Sequence, residues 1–200
     1  MSKLTGGWTD TGLTEMGRRQ ATCLASRLKH EIGDTPCQLY CSDLKRALQT
    51  AEIIGQEIGV TPNPAPELRA PDNGVAAGKS VEEAKQYVLE ITSPVLDWQP
   101  YSQAETWRQF YSRVADCMDR LTVNQEAPLL LVTHAGTIIN IVAWWLQLDI
   151  DMLCKVSFDA LPASLSLLRR NQWNERAIER LNDTAHLYAA GLAEGIRLHP

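Results

Sequence analysis

The apolar residues of this chain recur in two rhythms, and their alternation predicts the architecture. Leu129-Leu130-Leu131-Val132 is an unbroken apolar run, the pattern of a short strand covered on both faces. Thr133-His134-Ala135-Gly136 follows it, so His134 leaves the carboxyl end of that strand, where open α/β sheets place their ligands. Beyond this turn, residues 138–148 read as a very apolar helix. Helical spacing also marks Ala21, Leu24, Leu28 and Ile32. It predicts a helix over 14–32, capped by Thr14 and stopped by Gly33-Asp34-Thr35-Pro36. Residues 37–41 read as a short strand. Leu44, Ala47, Leu48, Ala51 and Ile54 place the next helix over 44–58, with Ser42-Asp43 offering its cap and Gly59 closing it.

The remaining segments fit the same scheme. Residues 61–79 are irregular and rich in Pro and Gly, Ser80-Val81-Glu82-Glu83 is a capping box that starts a helix, and 93–101 is loop again. Together 61–103 form a wall or cap over a site. Trp107, Phe110, Val114, Cys117 or Met118, and Leu121 mark a helix whose stripe is core packing rather than a cofactor box. Residues 165–169 and 176–181 flank Asn171-Gln172-Trp173-Asn174, an antiparallel hairpin at the sheet edge with Trp173 exposed at its tip. Residues 1–13 read as loop and the tail from 184 as partly helical. The expected fold is one α/β domain over 1–200. It is a three-layer α/β/α sandwich with a mostly parallel central sheet and an antiparallel hairpin near the C-terminal end.

Composition narrows the function. With 44% hydrophobic and 22% charged residues and a net charge of −5, the chain lacks a basic field that would draw nucleic acid or an anionic membrane. Any anion site must be local. Cys23, Cys37, Cys41, Cys117 and Cys154 include no CxxC pair. They read as buried free thiols of a reducing, cytoplasmic environment, and no metal cluster is visible. No apolar run approaches the roughly 18 residues of a membrane span, and the N-terminus shows no apolar signal core.

Chemistry concentrates at the strand-to-helix junctions. Arg46 falls in the first turn of the helix after Ser42-Asp43, and His134 stands before the helix after Ala135-Gly136. Helix N-termini offer free N–H groups and partial positive charge to anions. An arginine adds a bidentate cation suited to phosphate. If both junctions face one sheet edge, Arg46, His134 and the amides near Ala135 converge on a single phosphate.

These residues sit in motifs that resemble the histidine phosphatase superfamily, the phosphoglycerate-mutase-like proteins. Ser42-Asp43-Leu44-Lys45-Arg46-Ala47-Leu48-Gln49-Thr50-Ala51 is similar to its S-D-L-x-R-A-x-Q-T-A motif. Leu13-Thr14-Glu15-Met16-Gly17-Arg18-Arg19-Gln20-Ala21 resembles its L-T-x-x-G-x-x-Q-A helix start. Val132-Thr133-His134-Ala135-Gly136 resembles its second catalytic histidine motif, and Thr5-Gly6-Gly7-Trp8-Thr9-Asp10 the substrate-side loop of the mutases with one extra glycine. The resemblance implies phosphoryl transfer through a phosphohistidine from a small phosphorylated substrate, without metal or cofactor. Arg46 would neutralise the phosphoryl oxygens, His134 would hydrogen-bond them, and Thr5, Gly6 and Ala135 would contact substrate.

The chain departs from the family pattern twice. The attacking histidine of the family sits in an R-H-G motif ending a first, central strand, and no R-H-G occurs here; His30, His186 and His199 lack that setting. The expectation is that the natural protein begins upstream and carries that strand. Second, Ala70 stands in Leu68-Arg69-Ala70, where family phosphatases carry the general-acid Glu. Asp72 and Glu105 are substitutes, against the plainer roles of a solvated carboxylate and a helix-terminal charge. The compact 62–101 segment favours a phosphatase over a mutase. A non-catalytic phospholigand-binding protein is the alternative, and a purely structural partner protein is weaker.

Overall fold

The computed structural model describes residues 4–123 and 125–193, and the fold is mixed α/β. The first helix, α1, is Glu15–Ile32; Thr14 caps it by accepting from the Gly17 amide, and Gly33 at φ +57° ends it. Strand β1 (Gln38–Cys41) leads into α2 (Lys45–Ile58). A two-residue strand, β2 (Asn63–Pro64), follows inside the segment read as irregular. A short helix α3 (Val81–Ala84) keeps the capping box at Ser80 but soon gives way to a 3-10 turn. The second half contains α4 (Trp107–Thr122), β3 (Leu129–Val132) and α5 (Ala135–Leu146). The hairpin β4 (Leu165–Arg170) and β5 (Arg176–Asp183) and the short α6 (Ala185–Ala189) complete it.

Strands β2, β1 and β3 lie side by side in parallel, with Leu39 opposite Leu130 and Cys41 opposite Val132. Side chains alternate between the faces, as a strand requires. Leu39, Leu130 and Val132 pack with Leu24, Leu28 and Ile54 of α1 and α2. Leu131 turns the other way, against Phe110, Val114 and Ile141 of α4 and α5. The sheet therefore carries a helical layer on each face. Arg27 ties α1 to the C-terminal hairpin through Asp183, which it meets at 2.5 Å.

Several expectations need correction. The hairpin is a separate two-stranded sheet rather than an edge of the parallel one. Consistent with that gap, Leu129 to Val132 are each only half-buried. Their apolar run suits a strand covered on both faces, and β3 is paired only with β1 among the described residues. Trp107 opens α4 and is 41% exposed, because its turn precedes the stripe that meets the sheet. Only Cys41 and Cys117 of the free thiols are fully buried, and Cys154 is exposed. His199 lies outside the described residues. Within them, no helix is long and apolar enough to cross a membrane.

Candidate active site

The register of β1 against β3 builds the centre of the site. Pairing Cys41 with Val132 brings the next residues together, and the Ser42 amide donates to the Val132 carbonyl at 3.0 Å. Ser42, wholly buried, then meets His134: its Oγ lies 2.9 Å from the imidazole Nε2. His134 is the N-cap residue of α5 yet makes no side-chain cap. The amides of Ala135 and Gly136 consequently have no partner among the described residues. Such open first-turn N–H groups form an anion site.

Burial is the main cause that pushes the His134 pKa down, to about 3, with the cationic Arg46 and Arg113 adding to it and Asp43 opposing. The imidazole is neutral at neutral pH and presents one donor and one acceptor. Arg46 reaches the same region from the first turn of α2. Its guanidinium donates to the Thr9 carbonyl at 2.8 Å and the Gly7 carbonyl at 2.8 Å, which anchors the 7–9 loop. Burial lowers its pKa, and Asp10 opposes that. Asp10 also accepts the Lys45 amide at 2.7 Å, closing the start of α2 with a residue remote in sequence. The Ser42-Asp43 cap read from the sequence is displaced, because Arg69 takes the Asp43 carboxylate at 2.6 and 2.5 Å. That ion pair holds Asp43 below the usual carboxylate range. Arg69 lies 4.7 Å over the Trp8 ring, and the Trp8 indole donates to the Ala70 carbonyl.

Arg113 of α4 fixes the wall opposite. It grips Glu105 through both carboxylate oxygens at 2.7 Å and donates to the carbonyls of Glu67, Arg69 and Ala70. Thr133 and Thr137 donate to the Leu68 and Arg69 carbonyls, so the 67–70 segment is sewn to the β3–α5 junction. Replacing Glu105 with Gln leaves Arg113 charged and largely desolvated. We expect a loss of about 3 kcal/mol, read as a lowered denaturation midpoint at unchanged m-value.

A cavity of about 1130 Å³ opens here, and Gly7, Arg46, Ala70, His134 and Ala135 line it. Of the residues singled out from the sequence, the structure thus brings Arg46, His134 and Ala135 together. Thr5 and Gly6 do not line the cavity; the Thr5 hydroxyl donates to the Ala76 carbonyl at 2.6 Å instead. Asp72 and Glu105 do not line it either. Asp72 accepts the Gly74 amide, and Glu105 is committed to Arg113 and the Asp72 amide. His30 lies exposed near the end of α1, and His186 lies 3.0 Å from Arg27; neither lines the cavity. Sequence reading missed Ser42, Arg69 and Arg113. The first two stood in quoted motifs beside Asp43 and Ala70, whereas Arg113 carried no local signal. Among the described residues, no cluster of His, Cys, Asp and Glu is grouped to hold a metal ion.

Known proteins resemble this chain along most of its length. The probable phosphoglycerate mutase GpmB of Yersinia pestis (strain Pestoides F) is 26% identical over 197 residues, covering 94% of this chain and 89% of the relative. The mycobacterial glucosyl-3-phosphoglycerate phosphatase solved with inorganic phosphate superposes with a TM-score of 0.74 at 23% identity, covering 91% of this chain and 92% of that one. The alpha-ribazole phosphatase of Shigella flexneri gives a TM-score of 0.75 at 24% identity, covering 98% and 92%. The model of the histidine phosphatase superfamily, branch 1, matches residues 1–184, and the chain belongs to that superfamily.

Proposed function

We propose that this protein performs phosphatase-type phosphoryl transfer from a small phosphomonoester, through a phosphohistidine, in the cytoplasm. The observation that carries the proposal is the convergence of Arg46, His134 and the open amides of Ala135 and Gly136 on one end of the cavity. Catalysis of phosphoryl transfer is mostly positioning and charge stabilisation. Arg46 supplies fixed positive charge, the α5 N-terminus supplies N–H donors, and His134 supplies a hydrogen bond without adding a second full charge. The attacking histidine nitrogen forms a bond to phosphorus as the bond to the leaving oxygen breaks. Water then cleaves the phosphorus–nitrogen bond and releases phosphate. The compact segment over 62–101 supports hydrolysis over mutase chemistry.

Two observations favour a second reading, a phospholigand-binding protein without turnover. Neither His30 nor His186 reaches the cavity, and Ala70 stands where a proton donor would serve. A single pair of measurements separates the two. Hydrolysis of a chromogenic aryl phosphate, whose leaving group needs little protonation, with competitive inhibition by inorganic phosphate, is the expected result. Absence of hydrolysis, with phosphate still raising the thermal midpoint, would favour the binding protein. Failure of both would remove the phosphate site.

A further inference from the structure

When a phosphoryl group leaves an ordinary alcohol, the departing oxygen needs a proton, and a positioned acid speeds that step by on the order of 10²–10⁴-fold. Asp119 is the only carboxylate among the described residues that line the cavity. It accepts the Trp144 indole N–H at 2.8 Å, and Trp144 stands about 14 Å along α5 from Ala135 at ~1.5 Å per residue. The other polar lining groups are hydroxyls, amides, arginines and His134. Burial and the two neighbouring arginines hold the His134 pKa down to about 3. A neutral imidazole, like a guanidinium, releases no proton near neutral pH.

The carboxylates just outside this end are engaged elsewhere. Arg69 grips Asp43 at 2.6 and 2.5 Å and keeps it ionised. Asp10 accepts the Lys45 amide at 2.7 Å. Both oxygens of Glu105 accept from Arg113, and one also accepts the Asp72 amide. The Asp72 carboxylate turns back to the Gly74 amide at 2.8 Å. The wall that carries these groups is fixed, because the Ala70 carbonyl accepts from the Trp8 indole at 2.9 Å and from Arg113 at 3.2 Å. Ala70 itself lines the cavity and offers only a methyl group.

We propose that the site takes phosphate esters whose leaving oxygen departs as a stable anion, aryl or enol phosphates, and discriminates against those of simple alcohols. The inference rests on the phosphoryl-transfer reading above and adds the substrate class to it. As the histidine nitrogen bonds to phosphorus, the electron pair of the breaking phosphorus–oxygen bond stays on the leaving oxygen. That oxygen departs as a phenolate or enolate and takes its proton from water afterwards. Arg46 and the α5 amides neutralise the oxygens that remain on phosphorus, so the stability of the leaving anion must come from the substrate.

The test compares kcat/KM at pH 8 on the unmodified chain for p-nitrophenyl, phenyl and butyl phosphate and for S-butyl phosphorothioate, in which sulfur replaces the leaving oxygen of butyl phosphate. This constant covers the steps through leaving-group departure, so slow hydrolysis of the phosphohistidine does not mask the differences. p-Nitrophenyl phosphate should exceed phenyl phosphate. Butyl phosphate should fall on the order of 10²–10⁴-fold below its sulfur counterpart, whose thiolate leaves without a proton. Butyl phosphate within about tenfold of S-butyl phosphorothioate would overturn the proposal and leave the phosphatase reading intact. Ala70→Glu should raise the butyl phosphate value and Ala70→Gln should not; equal gains would trace the discrimination to shape and overturn the proposal as well. Hydrolysis of none of these esters would remove the phosphoryl-transfer reading, and this inference with it.

Discussion

Replacing His134 with alanine lowers hydrolysis of an aryl phosphate by roughly two to three orders of magnitude, the usual effect of removing one donor aimed at developing charge. The expectation rests on placement. His134 occupies the N-cap position of α5, so its ring stands at the same end of the cavity as the open amides and Arg46. Alanine keeps those amides and the arginine, which should retain part of the phosphate affinity. The loss therefore falls mainly on kcat. The structural cost is smaller: the wholly buried Ser42 hydroxyl loses its imidazole partner but still accepts from the Leu44 amide at 3.3 Å, a penalty of about 1 kcal/mol. Ser42→Ala provides the contrast. It removes the group that orients the ring but not the ring, and should reduce turnover about tenfold. Steady-state kinetics of both variants, with thermal midpoints to confirm folding, checks the assignment. A His134→Ala variant that turns over at the parental rate removes His134 from the chemistry.

What could be read from the sequence follows the range of the interactions involved. The span of α1 and its Thr14 cap are legible because the cap bond and the apolar stripe are local. The β3 run is legible as a strand, and its parallel pairing with β1 dictates that Ser42 and His134 meet. Contacts between distant segments leave no such trace. Asp10 closes α2, Arg69 draws Asp43 away from that role, and Arg113 bonds three carbonyls of the 67–70 segment. None of these produces a period or a spacing. Strand β2 is hidden for another reason: it has 2 residues and includes Pro64, which lacks a ladder donor and suits an edge. The separation of the hairpin from the parallel sheet is equally invisible in its own residues, which show only the antiparallel pairing of β4 with β5.

The low pKa of His134 makes anion binding a proton-coupled event, with a direction that can be worked out. Burial, Arg46 and Arg113 hold the free imidazole neutral down to about pH 3. A divalent anion beside Arg46 and the α5 amides offsets those cations and stabilises the imidazolium, so it raises the His134 pKa. Between the free and bound pKa values, binding takes up a proton. Affinity must then increase as pH falls, by at most about tenfold per unit. Sulfate is the suitable probe because it stays doubly charged across this range. Calorimetry between pH 7 and pH 4.5 should show sulfate binding tightening with acid, with proton uptake seen as a dependence of the enthalpy on the buffer. In His134→Ala the pH dependence should flatten while weaker binding persists. Folding stability shows the linked trend in the absence of anion. The unfolded chain protonates His134 near its ordinary value of 6.5 and the native chain only near 3, so this residue's contribution is intact above about pH 6.5 and is lost progressively below it. Sulfate should therefore protect the fold more strongly at pH 5 than at pH 7. Equal protection at the two pH values would mean that the anion does not sense the His134 proton.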